Sequence, residues 1–256
     1  MGEAMLAVVL QKRLAKPQAI TVSDVAEARL RYLEKKYGIV TISSNRQAVE
    51  KAEVIVLAIK PQNLPQVMAE LKGYLKPSQL VLSIIAGAKI NTLSRGLGHN
   101  LIVRAMPNTP AQIGEGISVW TATADVSKKQ KESARAILRA MGKQVYVDDE
   151  SYIDMATAVS GSGPAYFFLM VEALVAAAVD IGLPRDKALV LVLQTMLGSG
   201  HLIQRSGREP GELRRMVTSP GGTTAEALAQ FEEGKLTELF KKAVRAAYNK
   251  AKELGR

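Results

Sequence analysis

The first 150 positions alternate short apolar runs with amphipathic stretches. Met5, Val8 and Val9 share one helical face within residues 3–15, which predicts an opening helix. Ala19–Val22 reads as a strand, Val25–Tyr37 as a helix closed by Gly38, and Val40–Ser43 as a second strand. Asn45 is the predicted N-cap of a helix over Arg46–Lys51. Val54–Ile59 is continuously apolar, the pattern of a strand buried on both faces. Next come a helix around Pro65 (Gln62–Tyr74), a buried strand at Leu80–Ala86 and a short helix near Asn91–Arg95. Leu101–Ala105, Ile117–Thr121 and Gln144–Val147 are further strands, with a helix at Lys128–Met141. Such alternation predicts an α/β fold with a doubly wound parallel sheet, which binds ligands beyond the carboxyl ends of its strands.

After Asp148-Asp149-Glu150 the strand pattern stops. Residues 151–256 read as helices broken at Gly161–Gly163, Gly182–Pro184, Gly207–Gly211 and Ser219–Gly222. Two domains are therefore expected, 1–150 and 151–256. Ala165–Ile181 and Asp186–Ile203 are apolar on more than one face. A helix in a small monomeric bundle keeps a polar face, so a homodimer is expected to cover the excess. Ala165–Val179 is apolar except for Glu172, but it falls short of the ~20 residues of a membrane span and carries a costly central carboxylate. A helix buried in protein is expected there, with no membrane partner. The start lacks the basic region of a secretion signal, and Leu6 stands where a myristoylation site needs Ser or Thr, so the expected location is cytoplasmic.

Composition narrows the chemistry. There is no cysteine, which removes disulfides, thiolate metal sites and cysteine nucleophiles. The only histidines, His99 and His201, stand apart, so neither a histidine-based metal site nor a Ser–His–Asp machine is expected. The net charge of +10 invites a nucleic-acid reading. Residues 1–150 carry 21 Lys/Arg against 13 Asp/Glu and residues 151–256 carry 13 against 11, so most of the excess sits in the first domain. The few aromatics lack the interleaving with basic residues that single-strand binding uses, and no nucleic-acid partner is expected.

The fold pattern asks for an opening strand and a G-x-G-x-x-G turn. The chain instead opens on a helix, with Gly2 standing as the last glycine of such a turn. The expectation is a sheet whose first strand is absent, from a truncated or misassigned start. Four later segments could carry chemistry. Ala58-Ile59-Lys60-Pro61 closes a buried strand and puts Lys60 at the ligand edge, although a solvent-facing lysine would look the same. Arg104–Pro110 follows a strand, with Asn108 and Thr109 held between two prolines, either as a site wall or as a structural turn. In Ser160-Gly161-Ser162-Gly163-Pro164, Ser162 is a predicted N-cap and the glycines permit close approach of a ligand or a neighbouring helix. In Thr218–Glu226, Thr223 and Glu226 have capping-box spacing, and Ser219, Thr224 and free amides would gather at a helix N-terminus suited to a carboxylate.

In order and spacing, these segments resemble pyrroline-5-carboxylate reductases from Gly2 to the C-terminal helix. The resemblance implies a Rossmann-like domain followed by an all-helical dimerisation domain, and hydride transfer from NADPH, with NADH possible, to the C=N carbon of 1-pyrroline-5-carboxylate, giving L-proline. It implies that Gly2, Ser23, Asp24, Asn45, Ala58, Ile59, Lys60, Ile84, Ala86 and Asn108 line the cofactor. Ser219, Gly222, Thr223 and Thr224 would hold the substrate, with Glu150 and Ser162 as further pocket positions. Thr224 would hydrogen-bond the ring nitrogen and relay a proton as the catalytic residue. No metal is implied, nor a strong acid or base, because positioning and the cofactor supply most of the rate. The family also implies an interleaved dimer and rings such as decamers.

For cofactor choice, Asp24 after the first strand favours NADH, whereas Arg29 and the basic first domain favour NADPH; the family resemblance makes NADPH the preferred expectation. Two other readings compete. One is a dimeric remnant unable to hold a dinucleotide. The other is a hydroxyacid dehydrogenase of similar build; those enzymes place a lysine early in the helix after a glycine-rich segment, and here Gly163–Phe168 has none.

Overall fold

A computed structural model describes residues 1–255. It divides into two compact units, one formed by Met1–Ser162 together with the chain from Ala247 onward, the other by Gly163–Ala246.

In the first unit, the apolar runs become a five-stranded sheet in the order β3 (Val54–Leu57), β4 (Leu80–Ser83), β5 (Ile102–Met106), β6 (Gly116–Ala122) and β7 (Gly142–Tyr146). β4 is buried along its whole length, as its unbroken apolar run predicts. β3, β4 and β5 pair in parallel, with Leu57 beside Ser83 and Ser83 beside Arg104. β6 departs from the parallel expectation by running antiparallel to β5. The link between them is a single 3-10 turn over Thr109–Ile113, too short for the crossover helix that a parallel return requires. A separate pair, β1 (Thr21–Ser23) and β2 (Val40–Ile42), is parallel and is not hydrogen-bonded to the larger sheet.

Around the sheets lie α1 (Gly2–Gln11), α2 (Glu27–Tyr37), α3 (Asn45–Val49), α4 (Leu64–Leu71), α5 (Ile90–Leu97) and α6 (Lys128–Ala140). As expected, the chain opens on a helix. Two cores flank the large sheet. On one side Met5 and Val8 of α1 meet Leu80, Leu82, Val103, Trp120 and Leu138. On the other, Val81, Ile55 and Ile102 pack with Leu64, Leu71, Leu93 and Leu97. Gly38 stops α2 in a left-handed conformation, φ 64°, which glycine adopts without strain. Asn45 is the first residue of α3 rather than its cap; the cap is Ser44, whose hydroxyl accepts the Gln47 N–H.

α7 (Ser151–Ala156) does not break at Gly161–Gly163 as the glycines suggest. It runs through a π-helical turn, Thr157–Gly161, into α8 (Gly163–Asp180). Ser162 is itself helical, φ −84° and ψ −21°, so it does not have the extended backbone of an N-cap.

The second unit contains all of α8, α9 (Arg185–Ser206), α10 (Pro210–Met216), α11 (Thr223–Glu233) and the first part of α12 (Leu236–Leu254). Little in it is enclosed: Val175 is buried on α8 and Ala188 on α9, while Phe167, Phe168, Leu169, Val190 and Leu191 are exposed. The continuous helix Ser151–Asp180 is long and apolar enough to cross a membrane. In the single chain that apolar stretch is not buried, contrary to the expectation of a helix enclosed by its own protein.

Candidate functional site

The parallel register of β3 and β4 aligns their carboxyl ends, so Ala58 and Ile84 emerge one residue beyond the paired Leu57 and Ser83. Ile84 is nearly buried and donates its N–H to the Leu57 carbonyl, 3.1 Å. Ala58 and Lys60 are exposed, and Lys60 leads into a 3-10 turn begun by Pro61. Gly2, the first residue of α1, sits against this edge: a methyl group placed on it would lie 3.1 Å from the Ala58 Cβ. A glycine here keeps the helix N-terminus, with its unpaired amides, close to the strand end.

β1 and β2 bring Ser23 and Asn45 together, and the Ser23 hydroxyl donates to Asn45 Oδ1, 2.7 Å. The Asn45 amide in turn donates to Glu70, 2.9 Å. Asp24 accepts the Ala26 N–H at 2.9 Å, a local turn before α2. Arg29 is engaged elsewhere, in an ion pair with Glu3, which removes it as a free partner for a ribose phosphate. Asn108 is nearly buried and its side-chain oxygen accepts the Ile117 N–H, 2.9 Å, so that group latches the loop between β5 and β6. The loop after β4 turns at Gly87, φ 77°, where an added methyl would lie 2.6 Å from the Leu254 carbonyl oxygen.

Glu3 is the centre of a polar cluster. Lys36 (3.0 Å), Tyr37 (2.9 Å) and Arg29 all donate to it. The Lys36 hydrogen bond holds the Glu3 carboxyl down at about 2, against the opposing effect of burial, with Arg29 and Tyr37 adding to the depression.

Glu150 marks a second cluster. Its Oε1 accepts the Ile90 N–H at the start of α5, 2.8 Å, and Arg104 Nη1, 2.7 Å. Arg104 Nη2 donates to Asp154 on α7, 2.7 Å. Asp154 was invisible to sequence reasoning. The signal that could have found it was Glu150 and Asp154 four apart on one helical face, together with an arginine inside an otherwise apolar strand.

On the second unit, the expected substrate residues gather at the N-terminus of α11. Gly222, not Thr223, is the cap residue, and no side chain caps the helix, so the Thr223–Glu226 capping box is not formed. Gly222 N–H donates to the Ser219 carbonyl, 3.1 Å, and the Gly222 carbonyl accepts from Ala225 and Glu226. Gly221 has φ 67°, and a side chain on Gly222 would collide with the Ser219 hydroxyl. Two glycines therefore let the backbone turn so that the Ser219 hydroxyl packs against Gly222, the cap residue of α11.

No group of three or more metal-ligating side chains occurs among the described residues. A cavity of about 500 Å³ lined by Leu10, Arg13, Lys16 and Tyr37 holds none of the expected site residues.

A strand edge approached by a helix N-terminus, and a second, uncapped helix terminus on the helical unit, are features that a nicotinamide-dependent oxidoreductase needs. Comparison with known proteins narrows the class. Residues 150–254 match the profile "Pyrroline-5-carboxylate reductase dimerisation", and residues 1–87 match "NADP oxidoreductase coenzyme F420-dependent". The Synechocystis pyrroline-5-carboxylate reductase is 41% identical over 256 residues, covering 100% of this chain and 95% of that protein. The Pseudomonas aeruginosa enzyme is 43% identical, covering 92% and 86%. Among solved structures, the Coxiella burnetii pyrroline-5-carboxylate reductase superposes with a TM-score of 0.91 at 39% identity, covering 100% of this chain and 95% of that one. The Plasmodium falciparum enzyme, solved with NADP bound, also gives 0.91, at 32% identity and with the same coverage. The chain belongs to the pyrroline-5-carboxylate reductase family.

Proposed function

We propose that this protein reduces 1-pyrroline-5-carboxylate to L-proline with a nicotinamide cofactor. The observation that carries the reading is the uncapped N-terminus of α11, whose first amides lie beside Ser219, Gly222, Thr223 and Thr224. A substrate with one carboxylate and one ring nitrogen needs amide donors for the first and a hydroxyl for the second.

NADPH or NADH, when bound, supplies the hydride to the C=N carbon; the NADP-bound relative supports the phosphorylated form. The residues present fit such a group, because Gly2 lets the N-terminus of α1, with its free amides, come up to the end of β3 at Ala58, where a phosphate would be held. In this reading Gly2, Ala58, Ile59, Lys60, Ile84 and Ala86 line the cofactor along the strand edge. Ser23, Asp24 and Asn45 line it beyond β1 and β2, and Asn108 shapes the loop after β5. Glu150 and Ser162 are further substrate-binding residues in the same proposal. The amides of α11 hold the substrate carboxylate. The Thr224 hydroxyl donates a hydrogen bond to the ring nitrogen and relays to it the proton that balances the hydride, taking one from solvent in its place so that the hydroxyl is restored. Binding and orientation do most of the work.

The exposed apolar faces of α8 and α9 support a homodimer, and closed rings such as decamers built from dimers belong to the same proposal. The cytoplasm is the compartment assigned.

The test is proline formation and cofactor oxidation by the purified protein, with Thr224→Ser and Thr224→Val beside it. Wild type should form proline, Thr224→Ser should retain most turnover, and Thr224→Val should lose about 10²-fold or more in kcat. No proline from wild type with either cofactor overturns the function, and full activity in Thr224→Val overturns the role of the hydroxyl.

A further inference from the structure

We propose that Arg104 is a positioning residue for this reaction: through Glu150 and Asp154 it fixes the cofactor-facing edge of β4 and β5. The proposal deepens the function above and rests on it.

Arg104 is a strand residue exposed by only 1%, paired across the sheet with the buried hydroxyl residues Ser83 and Thr121, and the other residues of its own strand are apolar. Its guanidinium is divided between two carboxylates, with Nη1 on Glu150 and Nη2 on Asp154, each at 2.7 Å. Nε is buried without a partner. Burying a cation is costly, and leaving one of its N–H groups unmade adds to the cost. An apolar side chain on β5 would give stability more simply, so the arrangement is better explained by the parts it holds in place.

Arg104 lies beside Ser83 in the register, in the last paired row before β4 gives way to Ile84 and Ala86. The same Glu150 oxygen that it binds also accepts the Ile90 N–H, where the loop after β4 enters α5. One carboxylate therefore ties the end of the β4 loop to β5, and Asp154 ties β5 to α7. Only a planar fork reaches both carboxylates at once; a lysine ammonium is a single point. Loss of the fork frees the β4 loop, which carries Ala86, and it frees the α7 start, which carries Glu150.

The test compares Arg104→Lys, Arg104→Met and Asp154→Asn with wild type. NADPH affinity is read by fluorescence titration without substrate, and kcat and KM are read per folded molecule from proline formation. Arg104→Lys and Arg104→Met should each weaken NADPH binding and lower kcat by about tenfold or more, because small misplacements are expensive in an orientation-driven reaction. Asp154→Asn keeps one acceptor for the guanidinium and should fall between them and wild type. Wild-type affinity and kcat per folded molecule in the two arginine variants would overturn the proposal, even if both melt at lower temperature. If Arg104→Met fails to fold, Arg104→Lys and Asp154→Asn decide. Should wild type bind NADPH but form no proline, the reading of the function fails while the titration still tests Arg104.

Discussion

The two units of this chain solve the burial problem differently. The first encloses its own core: Leu80, Val81 and Leu82 on one strand are wholly inaccessible, and Trp120 is packed edge-on against Tyr146. The second, made of helices with comparable apolar content, leaves Phe167, Phe168, Leu169 and Val190 in solvent. A sheet flanked by helices on both faces satisfies itself within one chain. A few helices with apolar residues on several faces do not, and their stability must come from a second copy. Exposure therefore means opposite things in the two units. In the first it marks a tolerant surface, and in the second an unfinished core.

The sharpest way to break this contrast is to place a charge at an exposed apolar site in each unit. Leu169→Asp should cost about 3–5 kcal/mol of assembly, because it leaves an unpaired charge in the proposed dimer interface, and light scattering should find monomers without activity. Ile113→Asp, at a still more exposed position of the first unit, should change thermal stability by no more than about 0.5 kcal/mol. Dimers that survive Leu169→Asp would erase the distinction. Next in size, Leu82→Ala should cost about 2–5 kcal/mol in denaturant unfolding while leaving the dimer mass unchanged, since it empties the self-contained core. Gly87→Ala, strained at φ 77° and pressed on Leu254, should cost about 1–3 kcal/mol and weaken cofactor binding measured by titration.

The smallest loss expected beyond that surface control concerns the Glu3 cluster of the first unit. Folding depresses the Glu3 carboxyl, so its contribution is present above its ordinary value of 4.5 and disappears as pH falls from there towards about 2. Glu3→Gln should lower stability at neutral pH by about 1 kcal/mol, after allowing for partial solvent screening. Melts taken at falling pH should show the gap to wild type closing below 4.5.

Much of the self-contained unit was legible in the sequence, because uninterrupted runs such as Val54–Leu57 and Leu80–Ser83 have few other uses. The direction of β6 was not, since apolar periodicity is blind to whether a strand runs up or down. Neighbouring cap formers hid the choice between Ser44 and Asn45. At Gly161–Gly163, glycines that read as a break instead accommodate a π-helical turn, because helix continues on both sides of it. The segments of the candidate site were visible as motifs, and the family likeness assigned their roles. Their detailed bonding was not visible: Arg104 meets carboxylates 46 and 50 residues away, separations that no local pattern encodes.

The packing of Gly87 against Leu254 sets an order on synthesis. The β4 loop leaves the ribosome early, yet its neighbour is among the last residues described. During translation this loop waits, uncovered, while the whole helical unit is made. A stop codon in the last turn of α12 would spare every residue of the candidate site and still leave that loop without its cover.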